Sequence, residues 1–431
     1  MLYENLGVNE QNHLTVGGYD AVALANEYGT PLMVMDEKVL RERCRAYKKA
    51  MQAYLPEGSM PLYASKALSF KGIYRIMQQE GMGVDVVSSG ELRTALLAGF
   101  DAENIYFHGN AKTDADIRYA IENRIGYFVC DSADELSAID AEAARQGICQ
   151  KVLLRLTPGI DPHTHEKIST GRIDCKFGAA IENGQAEQLV QLALAKKNIS
   201  LSGYHCHIGS QIFEHTPFCD AAIIMLNFMA DMDKKYGYRA GILNLGGGMG
   251  VPYVAEDPKI DYAENIRSIG LLIEKVCKQL GMRAPIILME PGRSIVADAG
   301  LTLYTVSTIK KIPGFKNYVA VDGGMSDNPR YALYEAQYTV LPADRMRDTA
   351  DFPCTLAGCC CESGDLIQEN LMLPEPKRGD RIAVLTTGAY NYSMASNYNR
   401  IPRPPILMLG QDGAYVAVRR ETLDDIVKFD K

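Results

Sequence analysis

Between residues 61 and 289, short apolar runs alternate with longer stretches whose apolar positions recur every three or four residues. The runs at 61–65, 84–88, 105–108, 127–130, 152–156, 201–208, 242–245 and 286–289 have the length and apolar character of buried strands. The stretches between them, 70–80, 90–99, 115–124, 133–146, 185–197, 217–236 and 262–280, predict amphipathic helices. Ser132 with Glu135 three residues on predicts a capping box, and Gly237 and Gly281 stand where a helix end needs a left-handed residue. Strand alternating with helix through eight strands predicts an α/β fold, either a parallel (β/α)8 barrel of the TIM type or an open doubly wound sheet. The barrel is preferred because Lys66, His108, His207, the glycine run 246–250 and Glu290 all fall at or just after C-terminal strand ends. Those ends share one rim in a barrel, whereas an open sheet spreads them along an edge.

From about residue 295 the period changes to two. Residues 301–312 alternate, and further strand-like runs at 317–321, 382–386, 405–409 and 414–419 predict a second, mostly β domain, a barrel or a sandwich. Ahead of the barrel lie an alternating piece at 13–16, a helical run at 21–28 and a strand at 31–35. This segment has no helical neighbour of the barrel type and is expected to join the β domain. The expected division is 36–290 for the barrel and 1–35 with 291–431 for the β domain.

Composition narrows the function more than the fold. A net charge of -8 over 431 residues gives no basic field for nucleic acid or an anionic membrane, so small-molecule chemistry is expected. Eleven cysteines, odd in number and without paired spacing, fit a reducing compartment. No apolar stretch is long enough for a bilayer, and the first five residues lack the basic and apolar regions of a signal peptide, so a cytoplasmic protein is expected.

Lys66 is a lone lysine in an apolar run that ends at a turn. Taken alone it reads as a surface lysine at a strand end; desolvated, its amine would lose its proton and attack a carbonyl. The glycines of 246–250 let backbone N–H groups approach an anion, and barrels often hold phosphate after the seventh strand. The dinucleotide pattern GxGxxG is not met, since the third glycine, Gly250, comes one residue early. Glu290 and Arg293 read either as a salt bridge closing a loop or as a carboxylate and guanidinium on the rim, the carboxylate able to hold a pyridine nitrogen protonated. His205 and His207 share one strand face. Zinc is the obvious alternative there, but a catalytic zinc wants three ligands, and His108, His163 and His165 lie elsewhere in the sequence; no metal is expected. The preferred use of His207 is a ring lying flat on a cofactor ring, with His205 packed or hydrogen-bonded inside the barrel. In the β domain, Arg330 is the one guanidinium of a long turn at 322–334. Cys359, Cys360 and Cys361 cannot pair with one another and make a poor metal site, whereas a thiol beside a carboxylate can donate a proton. Residues 387–390 and 393–399 form a polar and aromatic segment unusual for a plain loop.

Taken in order, the motifs YASKA, GVDVVSSGEL, HGNAKT, STGRIDCKFG, HCHIGS, NLGGGMG, EPGR, NPRYALY, CESGD and GAYNYSMASNYN span residues 63 to 399. Together they resemble those of the diaminopimelate decarboxylases, within the alanine-racemase-like (fold type III) pyridoxal-phosphate enzymes. The resemblance implies pyridoxal 5'-phosphate as cofactor, held by Lys66 as a Schiff base and stacked under His207. It implies that Ser210, Gly247 and Gly248 hold the phosphate, that Glu290 pairs with the pyridine nitrogen, and that Gly292 and Arg293 lie near phosphate and substrate. Tyr390 would reach the phosphate and border the substrate. Members are homodimers, so Cys361 and Glu362 would complete the site of the other copy, with Cys361 as proton donor. The implied activity is that of a carboxy-lyase converting meso-2,6-diaminopimelate to L-lysine and carbon dioxide, the last step of lysine biosynthesis. The chain departs from the family pattern in Gly358, Cys359 and Cys360 ahead of Cys361, where proline is frequent, and in Asn391 and Tyr392, where smaller residues are.

Charge separates the candidate substrates. Ornithine and arginine end in a cation, whereas diaminopimelate ends in both an ammonium and a carboxylate. Arg293 and Arg330 offer partners for that carboxylate, Glu362 one for the ammonium, and Tyr334 a further hydrogen bond. Carboxynorspermidine, whose carboxylate is at the reacting end, stays open as an alternative, with ornithine and arginine behind it. A non-catalytic relative would be expected to lack the lysine or the phosphate glycines, and this chain has both.

Overall fold

A computed structural model of the chain describes residues 2–160 and 175–431; His163 and His165 lie outside them. The chain separates into two compact units, one of Arg43–Gly250 and Lys259–Ser294, the other of Met1–Glu42, Val251–Pro258 and Ile295–Lys431. That 251–258 belongs with the second unit was not foreseen.

In the first unit eight strands lie side by side: β1 (Met60–Ala64), β2 (Gly83–Val86), β3 (Ile105–Phe107), β4 (Tyr127–Cys130), β5 (Gln150–Thr157), β6 (Ile199–His205), β7 (Ile242–Asn244) and β8 (Ile286–Met289). Every neighbouring pair is parallel, and β8 pairs with β1 as β4 does with β5, so the sheet closes. The predicted helices form at Lys71–Gln79, Ser89–Leu97, Asp114–Glu122, Ala133–Arg145, Gln185–Ala195, Thr216–Tyr236 and Tyr262–Leu280. Gly237 and Gly281 end the last two at φ of 67° and 66°. The capping box at Ser132 forms only by half. Ser132 accepts from the Glu135 amide, but the Glu135 carboxylate turns to the buried Lys112 ammonium (2.7 Å) and the Asp131 amide, because an ion pair outbids a cap contact. One helix, Glu37–Tyr54, was not predicted, although Leu40, Cys44, Tyr47 and Met51 recur at helical spacing and are all buried.

The barrel interior follows from the two-residue period of its strands. Leu62, Tyr106, Val129, Leu153, Ile242 and Leu288 point inward and pack into an apolar floor. Two residues further along, the inward positions become polar: Asp85, His108, Asp131, Arg155, His205, Asn244 and Glu290, all buried. The same alternation that builds the core therefore lifts a charged layer toward the C-terminal rim.

In the second unit the 13-residue strand Gly300–Ile312 organises a nine-stranded sheet. It pairs antiparallel with Lys316–Val321, Arg381–Leu385 and Leu32–Asp36. The N-terminal strand thus joins the β unit as expected, lying between Gly300–Ile312 and Ile406–Gly410. The piece at 14–16 forms a separate three-stranded sheet, although Leu14 and Val16 share a core with Leu301, Leu385 and Leu407. Strands Val340–Pro342, Phe352–Ala357 and Leu366–Leu373 went unpredicted; the last has the burial pattern of a half-exposed strand. Among the described residues no helix is long and apolar enough to cross a membrane.

Candidate active site

Lys66 sits on a single 3-10 turn, Ser65–Ala67, directly after β1. Ser65 fastens that turn, its one hydroxyl proton lying between the Asp85 carbonyl (2.6 Å) and Glu91 (2.8 Å), and Glu91 also accepts from the Val87 amide. On the other side the Ala64 amide donates to the Pro291 carbonyl. The neighbours of Lys66, Ser65 and Ala67, are buried, while the lysine itself is exposed. Its charge acts on Asp85, Glu91 and His207.

Glu290, one residue beyond β8, is the centre of the polar layer. Asn244 Nδ2 donates to Oε1 (2.7 Å), His205 Nε2 donates to Oε2 (3.2 Å), and His108 Nε2 lies 2.9 Å from Oε1. The sequence set His108 apart from His205; closure of the barrel brings their rings to a 4.8 Å centroid separation, edge to face. Burial alone would raise the Glu290 carboxyl, yet the two imidazoles hold it well below the usual range. Burial, with the Glu290 charge added, pushes Asp85 well above it. Two carboxyls in one layer are thus shifted in opposite directions. Burial, and then the Lys66 charge, keeps His207 neutral.

After β7 the chain turns through Gly246, Gly247 and Gly248. A Cβ on Gly247 would stand 2.0 Å from the Glu290 carbonyl oxygen, and one on Gly248 2.4 Å from that of Gly209. Gly248 also has φ of +125°, which side chains other than glycine's rarely permit. Nearby, Arg293 donates from Nε and Nη2 to the Ser210 hydroxyl at 3.2 and 3.0 Å. A guanidinium, a hydroxyl and a bare backbone turn suit an anion. Gly292, expected near the phosphate, packs on Ala64 and Ala67, the feet of the lysine turn. Lys112 of HGNAKT is structural: it is held by Glu135 and the carbonyls of Gly109 and Val129.

In the β unit, Arg330 is buried, its guanidinium 4.7 Å from the Tyr253 ring centroid and donating to Tyr338 Oη at 2.9 Å. Among the described residues no carboxylate pairs with it. Tyr334 lies on the same short helix, Arg330–Tyr334. In the cysteine loop, Cys360 is buried, while Cys361 and Glu362 are exposed. Asp365 anchors the loop by accepting from the amides of Cys360 (2.7 Å) and Met325 (2.6 Å), and Asn399 accepts from that of Cys361. Thr386, Tyr390, Asn399 and Arg400 all have positive φ, so backbone strain gathers in the aromatic segment. Asp85, Glu91 and Asn244 were not singled out as site residues from sequence; the period-two rule applied to Glu290 and His205 would have found the first and last.

Residues 37–297 match the family model of the pyridoxal-dependent decarboxylase, pyridoxal binding domain. The diaminopimelate decarboxylase of Bacillus subtilis is 45% identical over 98% of this chain and 96% of its own length. That of Staphylococcus aureus is 44% identical over 97% of this chain and 98% of its own. The solved diaminopimelate decarboxylase from M. jannaschii in co-complex with L-lysine is 34% identical, with a TM-score of 0.92, covering 99% of this chain and 98% of that one.

Proposed function

The chain belongs to the diaminopimelate decarboxylases, within the pyridoxal-dependent decarboxylases, and on that premise we propose which of its residues hold the cofactor and the substrate. The protein is a pyridoxal-phosphate-dependent carboxy-lyase that converts meso-diaminopimelate to L-lysine and carbon dioxide. The barrel residues fit the cofactor: Lys66 offers an amine, the turn at Gly247 and Gly248 with Ser210 and Arg293 an anion cradle, and Glu290 a buried carboxylate kept ionised. The conjunction of these three on one rim is the observation that carries the assignment.

Bound pyridoxal phosphate supplies an electron sink for the pair left when carbon dioxide departs. Lys66 would hold it through its side-chain amine, the group able to exchange with the substrate's own amine. Glu290 keeps the pyridine nitrogen protonated, and neutral His207 covers the ring without adding charge. Tyr390 completes the phosphate contacts, and Gly292 lets the Lys66 turn sit close to Arg293. Arg330 and Arg293 receive the distal carboxylate, Glu362 the distal ammonium, and Tyr334 a hydrogen bond. Cys361 delivers a proton to the α-carbon, its exposure favouring it over buried Cys360. The same proposal has two copies of the chain in the cytoplasm, with Cys361 and Glu362 of one serving the other.

The test is product formation from meso-diaminopimelate, ornithine, arginine and carboxynorspermidine, each with pyridoxal phosphate and read by amino-acid analysis. Lysine from the first alone supports the Arg330 and Arg293 assignment; turnover of ornithine or arginine overturns it.

A further inference from the structure

Three nitrogens converge on Glu290 from inside the barrel, an arrangement that pairing with a pyridine nitrogen does not by itself require. Asn244 and His108 approach Oε1 at 2.7 and 2.9 Å, and His205 approaches Oε2 at 3.2 Å. All four side chains are buried. Only Asn244 and His205 make hydrogen bonds among these, His108 standing close without hydrogen-bond geometry, and since a carboxylate offers about four acceptor positions, Oε2, which meets His205, retains room for a further donor. We infer that His108, His205 and Asn244 are positioning residues that hold Glu290 ionised and aim its remaining acceptor position at the cofactor nitrogen. This rests on the cofactor assignment above.

The chemistry of the donors explains why histidine serves here. His205 must donate from Nε2 to a carboxylate, and its Nδ1, with no partner among the described residues, needs no proton. Burial lowers both imidazoles, His205 to about 4, so His205 supplies its N–H without a full charge. A lysine or arginine in that position would neutralise Glu290 and compete with the pyridine nitrogen for its charge; neutral donors stabilise the anion and leave the charge available. Asn244 adds a geometric constraint. Its Oδ1 accepts from the Gly246 amide at 2.8 Å while its Nδ2 holds Glu290, and the Glu290 amide donates to the Gly246 carbonyl at 2.8 Å. The anion turn and the carboxylate, which grip opposite ends of the cofactor, are thereby fixed to each other. The rival use of the cluster is a metal site, since ligand atoms of His108, His205 and Glu290 lie within 4.8 Å of one another.

The experiment uses holoenzyme and compares His108→Leu, His205→Leu, His205→Gln and Glu290→Gln. The readouts are kcat, KM, the cofactor dissociation constant measured on apoenzyme, and zinc content. Loss of the His205 hydrogen bond or of the close His108 contact to the carboxylate predicts a fall in kcat of about ten- to hundredfold in each leucine variant, with KM within about threefold and cofactor binding weakened about tenfold. His205→Gln, which keeps an N–H at similar reach, recovers most of the loss. Should leucine leave the barrel unfolded, His108→Asn and His205→Asn, whose donors are too short to reach, carry the same comparison. Wild-type kcat and cofactor affinity in the histidine variants, with Glu290→Gln impaired, overturn the positioning role alone. Wild-type behaviour of Glu290→Gln overturns the assignment beneath it, and stoichiometric zinc lost on His205→Leu overturns the inference in favour of a metal site.

Discussion

Arg330 holds a positive charge inside an aromatic setting of Tyr253 and Tyr338, with no carboxylate of its own among the described residues. A buried guanidinium costs solvation that the π faces and one tyrosine oxygen only partly return, so a carboxylate ligand gains from meeting it. Arg330→Lys keeps the charge but loses the fork, and is expected to raise KM for diaminopimelate about ten- to hundredfold with kcat altered less. Steady-state kinetics check this, and an unchanged KM would remove Arg330 from the substrate site. Asp327 is a second residue whose environment sets its chemistry. Burial raises its carboxyl to about 7, with Asp365 and Asp322 adding to the rise, against hydrogen bonds from Tyr304 and the Gly324 amide. The folded protein therefore holds this proton more tightly than the unfolded chain, and the stability it contributes is complete below about pH 4 and lost as pH climbs toward 7. Relative to wild type, Asp327→Asn is expected to gain stability between pH 4 and 7 by about 1 kcal/mol per pH unit, levelling off above, as measured by urea unfolding. A constant difference across that range would show that Asp327 does not titrate in the fold. Lys66 and Glu290 were legible as residues because rare charged types interrupted apolar runs; the exposure of one and the ionised state of the other depend on neighbours from other strands.

The glycine turn after β7 was readable as an anion cradle from its composition. Its tightness was not, because the wall is the backbone of Glu290 from another strand. Gly247→Ala would drive a methyl to within 2.0 Å of that carbonyl, so the turn must move. The expected result is cofactor lost on gel filtration while the far-ultraviolet circular dichroism is retained; full retention of cofactor would mean that the turn can yield. The barrel helices were predicted to within two residues at every end because their apolar stripes and caps are local. The strands of the β unit were read less completely. Phe352–Ala357 and Leu366–Leu373 carry mixed burial and register shifts, so period two is blurred there. The helix Glu37–Tyr54 had a clear stripe and was passed over; nothing physical hid it.

For the whole molecule, the proposal that two copies share sites has a direct test. Lys66→Ala and Cys361→Ala should each be inactive, yet mixing them under conditions that exchange subunits should restore about a quarter of wild-type activity, since half the dimers are mixed and each has one intact site. No restoration would assign both residues to one chain. The sequence by itself determined the alternation that makes a barrel, the change of period that begins a β unit, the lysine, the glycine turn and the family pattern, because each is written in residues close together along the chain. Tertiary structure alone decided that His108, His205, Asn244 and Asp85 surround Glu290. Those residues come from five strand ends spread over some two hundred positions, and only the closure and register of the parallel sheet give them one layer. The opposite shifts of the Glu290 and Asp85 carboxyls follow from that layer, since burial and mutual distance, neither of which a linear chain possesses, set them.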